Sequence, residues 1–216
     1  MSTRAPRRTP TQKRSRETVD AILEATDRLL RDVGLSGLLM RDVARVAGVG
    51  MGTLYQYFAT REALLAGWEE RAFERIAQQI GEAIARVATE SPPLDVAVFT
   101  LVTTSLDLVV RHMEAYPRVD ADLFFSRTLE RHEQQERAAE MITAGFGIVR
   151  SHERLRGHDR AAAARAAVKT IMYFARDLAH SPLAPDLRGA LRRQVALMLV
   201  HMLVKDADEA LLAALG

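Results

Sequence analysis

The chain of 216 residues is 48% hydrophobic, 27% charged and 6% aromatic, enough apolar content for one medium domain or a small domain joined to a larger one, which excludes global disorder. With no cysteine, disulfides, thiolate nucleophiles and cysteine-based zinc or iron–sulfur centres are excluded, and a reducing cytoplasm is the expected location. The net charge of +2 hides an asymmetry: residues 1–61 hold eleven Arg or Lys against six Asp or Glu, whereas residues 62–216 hold nineteen against twenty-two.

That leading positive potential points to a polyanionic partner, of which nucleic acid is the commonest, although a solvated tail would carry the same charge. Arg4, Arg7, Arg8, Lys13, Arg14 and Arg16 are followed by no apolar run, so no secretory signal is expected. The longest apolar stretch, Val195–Val204, is interrupted by His201 and is about half of the roughly 20 residues a bilayer span needs, so the chain reads as soluble with no membrane partner.

In chain order, residues 1–15 carry Pro6 and Pro10 among basic and hydroxyl residues and read as a flexible basic arm. Val19, Ile22, Leu23, Thr26, Leu29, Leu30 and Val33 recur at helical spacing, which predicts a helix over 16–33 ended by Gly34 in a left-handed cap. Two short helices follow, around Arg41–Ala47 and Met51–Phe58, joined by Gly48-Val49-Gly50. Thr60 caps a long helix over 61–89 whose stripe runs through Leu64, Trp68, Phe73, Ile76, Ile80, Ile84 and Val87. Ser91-Pro92-Pro93, Tyr116-Pro117, Gly157-His158 and Ser181-Pro182 punctuate further helices over 94–114, 119–154, 160–179 and 186–204. No stretch alternates with period two. The expected fold is all-α, with an arm (1–15), a helix-turn-helix unit (16–61) and a larger helical domain (62–216).

A helix-turn-helix needs a small residue where its helices touch, a turn-tolerant residue between them and an apolar anchor behind; Ala44, Gly48 and Leu54 meet these demands at the right spacing. An ordinary helical hairpin would also place Ala and Gly at its contacts. The outward face of the second helix is more telling. Thr53, Tyr55 and Tyr57 bring hydroxyls suited to phosphate oxygens, Gln56 an amide able to pair with adenine, Arg61 a cation, and Gly52 an uncovered backbone.

Residues 16–68, and above all AGVGMGTLYQYFATREALL, resemble the DNA-binding domain of the tetracycline-repressor (TetR) family of transcriptional regulators. The resemblance implies that Arg41 and Met51 lie near base edges, that Thr53, Tyr55, Tyr57 and Arg61 hold phosphates, and that Gln56 meets a base or a phosphate. Two departures stand out: Leu38 and Leu39 occupy the place where relatives often cap the second helix with Ser or Thr, and Gly50 and Met51 replace Ser then Lys. A lost side-chain cap costs about 1 kcal/mol, and Gly50 can itself cap the recognition helix at a penalty of a few tenths. Family membership further implies a homodimer that binds a palindromic duplex operator, most simply as a repressor released by a hydrophobic or amphipathic small molecule. An activator, a ligand-independent regulator, or an all-helical carrier of hydrophobic ligands with a structural N-terminal unit are the competing readings.

In the larger domain, small residues Ala163, Ala166, Ala167 and Thr170, with Phe174, mark one face of the helix over 160–179 as a site of close helix approach, and the helix over 186–204 turns apolar nearly all round after Gln194. A core shared with a second copy accounts for both, as would a central core helix in a monomer. Phe99, Phe125, Met141, Phe146, Met172 and Tyr173, with Phe124, are candidate walls of an apolar ligand cavity, each of which alone would serve equally as core. Thr100, Thr103, Thr104, Asp107 and Arg111 form a polar stripe that fits a pocket wall or a solvated face. The Arg176-Asp177 pair is either a ligand-orienting group or a surface pair. The six histidines show no metal-ligand spacing, and no nucleophile elbow or phosphate loop occurs, so no catalytic residue, metal or cofactor is expected.

Overall fold

The structure is a computed structural model that describes residues 10–119, 132–148, 154–155 and 160–214. The described residues are helical throughout: α1 (Pro10–Gly37), α2 (Met40–Ala47), α3 (Met51–Tyr57), α4 (Arg61–Glu90), α5 (Leu94–Glu114), α6 (His132–Ile148), α7 (Arg160–His180), α8 (Pro185–Leu203) and α9 (Glu209–Ala213). Beyond the helices, the described residues add only an isolated antiparallel bridge between Leu155 and Val204. None of these helices is long and apolar enough to cross a membrane.

Helix α1 begins at Pro10, six residues before the expected start, so residues 10–15 belong to a helix and not to the flexible arm. Proline suits this position, since an N-terminal turn has no use for its missing N–H. Near the other end Gly34 has φ +71°, and the helical run continues for one more turn to Gly37. The α4, α5, α7 and α8 boundaries fall within one residue of those read from capping and proline signals. Of the helix expected over 119–154, the described part is α6. The short α9 escaped sequence reading because five residues carry no period; Asp208 caps it by accepting from the Leu211 N–H at 3.0 Å.

The chain divides into two compact units. The first comprises Met1–Ala72 together with Tyr116–Asp120, and the second the remainder. In the first, Ile22, Leu23, Leu30, Leu38, Val43, Leu54, Leu64 and Trp68 form a core of nearly full burial. In the second, α5 packs on α7, α8 and α9, and α6 packs on α7, around Val98, Leu106, Ala167, Leu178, Leu199 and Val200. The small face of α7 turns inward in part: Ala167 is buried and Ala163 and Phe174 pack against this core, whereas Ala166 is exposed. The polar stripe of α5 is divided, with Asp107 accepting from Arg192 of α8, and Glu114 pairs with Arg188 of α8 at 2.7 Å. Buried Asp95 in the first turn of α5 faces Arg154, whose guanidinium also donates to the Asp206 carbonyl at 2.8 Å.

Candidate nucleic-acid interface and apolar cavity

The turn between α2 and α3 is built from backbone alone. Gly48 adopts φ +69°, the left-handed conformation that side chains disfavour, and its N–H closes on the carbonyls of Ala44 and Arg45. A Cβ there would meet nothing, so the dihedral and not space requires glycine. Neither α2 nor α3 has a side-chain cap, Leu39 and Gly50 standing at their N-caps. Ala44 of α2 and Leu54 of α3 are buried. Phe58, after α3, lies where a Cβ on Gly67 of α4 would fall 2.8 Å from its ring, so this glycine gives the ring its seat. Thr60 caps α4, its hydroxyl accepting from the Ala63 N–H at 3.1 Å.

This scaffold leaves one face of α3 open. Met51 is 38% and Tyr55 48% exposed, Gly50, Gly52 and Gln56 are exposed, and Thr53 and Tyr57 are half-buried. Arg41 in α2 is exposed, 3.9 Å from Asp42. Arg45, which sequence reasoning passed over, is also exposed and pairs with the same carboxylate at 3.6 Å. Arg14 and Arg16 add exposed cations on α1. Arg61 is placed otherwise than its expected phosphate role suggests. Its guanidinium donates to the carbonyls of Leu38, at 3.1 Å, and Leu35, so it brackets the connection between α1 and α2. Leu35 lies in the last turn of α1, where its carbonyl also accepts the Leu38 N–H at 3.3 Å, and Leu38 lies between α1 and α2, so Arg61 donates to carbonyls at a helix end that the helix itself leaves under-satisfied.

A second cluster sits behind α1. The Asp27 carboxylate accepts from the Tyr116 hydroxyl, from Trp68 Nε1 at 3.0 Å and from Arg31 Nε at 3.0 Å. Burial alone would raise the Asp27 pKa; the hydrogen bonds from Tyr116, Trp68 and Arg31 and the charge of Arg31 outweigh it and hold the carboxyl below its ordinary value. Nothing in the sequence pointed to Tyr116, which lies 89 residues from Asp27.

In the second unit, a cavity of about 40 Å³ is lined by Ile80, Ile84, Val98, Leu101, Val102, Ser105, Ile142, Gly145, Ala167, Ile171 and Leu203. Among the described residues its one side-chain polar group is the Ser105 hydroxyl, which donates to the Leu101 carbonyl at 2.7 Å and keeps acceptor capacity. The described candidates Phe99, Met141, Met172 and Tyr173 are not among these walls. Phe99 and Met172 are partly buried against the core, Met141 is half-buried, and Tyr173 is 54% exposed. Phe124 and Phe125 lie outside the described residues, as does the side chain of Phe146.

Residues 22–67 match the family model described as bacterial regulatory proteins, tetR family. An uncharacterised HTH-type transcriptional regulator of Mycobacterium tuberculosis is 33% identical over 97 residues, 45% of this chain and 46% of that protein. CymR of Pseudomonas putida, an HTH-type transcriptional regulator, is 30% identical over 114 residues, 49% of this chain and 56% of that one. The chain thus spans about half the length of the curated relatives it matches. Among solved structures, RolR in complex with resorcinol superposes with a TM-score of 0.64 at 22% identity, covering 92% of this chain and 93% of RolR. A TetR-family structure from Mesorhizobium loti gives 0.68 at 13% identity, covering 88% and 98%. At such identities these superpositions establish the all-helical fold, with its N-terminal helix-turn-helix and helical C-terminal domain.

Proposed function

We infer that this chain, which belongs to the tetR family of bacterial regulatory proteins, is a sequence-specific duplex-DNA-binding regulator that acts as a homodimeric repressor released by a small neutral apolar molecule. The observation that carries the reading is the open face of α3. Met51, Gly52, Tyr55 and Gln56 stand exposed on a rigid, glycine-turned helix-turn-helix, flanked by exposed Arg41 and Arg45. Hydroxyls and cations at such positions position a protein on phosphates, while Met51 and Gln56 are suited to base edges. A chromosomal target implies the cytoplasm.

A palindromic site calls for a two-fold dimer. The support here is the outer side of α8, where Leu187, Met198 and Met202 are 51%, 48% and 40% exposed. Ala166, Tyr173 and Ala162 on α7 are exposed as well. Leu199 and Val200, by contrast, are fully buried within one chain, so the partner-facing positions are the methionines.

The effector reading rests on the cavity. Among the described residues no charged group lines it, and against these walls an ionised ligand would lose hydration without compensation, whereas a neutral apolar molecule with at most one donor for Ser105 would not. Its volume is far below the roughly 300–1,000 Å³ of sites for drug-sized ligands. A ligand of that size must widen it and so binds a different state from the empty one, which is the differential affinity a switch requires.

The test is selection of bound duplexes from a random pool with the full chain. Recovery of a two-fold symmetric consensus is expected; retention of all duplexes alike would overturn the reading.

A further inference from the structure

Tyr116 follows α5 by two residues in the chain, yet the turn Tyr116–Val119 belongs to the unit that carries the helix-turn-helix. The turn is closed by the Val119 N–H on the Tyr116 carbonyl at 3.0 Å, and both residues are buried. The Tyr116 hydroxyl donates to Asp27 and accepts from Arg31 Nη2 at 3.1 Å. The Arg31 guanidinium lies 4.7 Å from the Tyr116 ring centre, and Trp68 of α4 meets that ring edge-on at 5.0 Å. Because Trp68 also donates to Asp27, the tyrosine closes a ring of interactions joining α1 to α4. Arg118 adds a hydrogen bond to the Asp32 carbonyl, and its own carbonyl oxygen occupies the space that a Cβ on Gly34 would need. Two residues of the turn, Tyr116 and Arg118, are thus fitted to the C-terminal half of α1.

Helix α5 lines the cavity with Val98, Leu101, Val102 and Ser105 and runs unbroken to Glu114. Helix α5 is therefore the continuous helical segment between the cavity-lining residues and the turn that holds Tyr116. We propose that Tyr116 is a positioning residue for DNA binding: its hydroxyl fixes α1 against α4, and its place at the end of α5 makes that geometry depend on the cavity. The proposal rests on the DNA-binding reading but is read out without DNA.

The test uses the full-length chain and its sole tryptophan, Trp68, as reporter. Ala167→Val narrows the cavity, and Tyr116→Phe removes the hydroxyl while keeping the ring; the double variant completes the cycle. In parallel Gly145→Ala, whose Cβ would meet Ile84 Cδ1 at 3.3 Å, replaces Ala167→Val should that variant not fold. The cavity substitution should shift Trp68 emission in the parent and leave it unshifted in the Tyr116→Phe background. Affinity for a selected duplex should follow the same pattern, with a change of about fivefold or more confined to the parent. Equal shifts in both backgrounds, or none in either, overturn the proposal, since a merely structural tyrosine lowers the melting temperature and leaves the cycle additive. If no duplex is retained while the emission cycle is non-additive, the DNA-binding reading fails and the link between Tyr116 and the cavity stands.

Discussion

At the scale of residues, the proposed interface gives Met51 and Tyr55 different tasks although they are one turn apart on α3. The Met51 thioether is suited to an apolar contact such as a thymine methyl, so Met51→Ala should change the preferred base at one position of each half-site, as read by repeating the duplex selection. Tyr55→Phe removes one hydroxyl and should weaken all duplexes alike by about 1 kcal/mol in a titration. Asp27 gives a pH signature. Its folded pKa lies below the ordinary 3.8, so its contribution to stability is complete above the unfolded value and is lost as pH falls through the folded one. Asp27→Asn should therefore cost about 1.5–3 kcal/mol at neutral pH, a difference that shrinks in melts below pH 4. The sequence exposed the roles of Thr60, Gly34 and Gly48 because caps and left-handed turns are local. It left the partners of Arg61 and Tyr116 unread because these, Leu35, Leu38 and Asp27, lie 23 to 89 residues away with no spacing rule to link them.

At the scale of elements, helix α8 separates two kinds of apolar residue that a hydropathy pattern merges. Val195, Ala196, Leu199, Val200 and Leu203 turn into the core, while Met198 and Met202 stay exposed. The period was legible, but which side faces the core was not, because both sides are apolar. Met198→Arg should leave the fold intact and give a species that sediments as a monomer with weakened duplex binding. Leu199→Arg should instead collapse the melting transition, since an unpaired cation would enter the core of a single chain. A parent protein that sediments as a monomer at micromolar concentration would remove the dimer from the reading. The cavity teaches the same lesson: Ile84, Val98, Ile171 and Leu203 line it because of the faces they occupy, whereas residue type alone drew attention to Phe99, Met172 and Tyr173.

At the scale of the whole molecule, charge and reciprocity set the expectations. Deleting residues 2–9 removes Arg4, Arg7 and Arg8, and the log–log salt slope of duplex binding should become shallower by up to about 0.9 for each phosphate that these cations neutralise, with the consensus unchanged. An effector that lowers operator affinity a hundredfold supplies about 2.7 kcal/mol of coupling, and saturating operator must weaken its own binding by the same factor. Calorimetric titration of small neutral hydrocarbons and alcohols with and without operator measures this directly. If every tight ligand binds equally well in both conditions, release by a ligand is not how the protein works.

The turn at Tyr116–Val119 also bears on modularity. Regulators of this architecture invite the making of chimeras, in which one protein's operator preference is joined to another's effector response by exchange at a point along α4. Here the DNA-binding unit is not contiguous in sequence, since its compact part includes Tyr116–Asp120. A splice after Ala72 would leave Asp27 and Trp68 facing a foreign turn and Gly34 without its neighbour Arg118. A hybrid of this chain therefore calls for two grafts, residues 1–72 and the turn at 116–119, transplanted together.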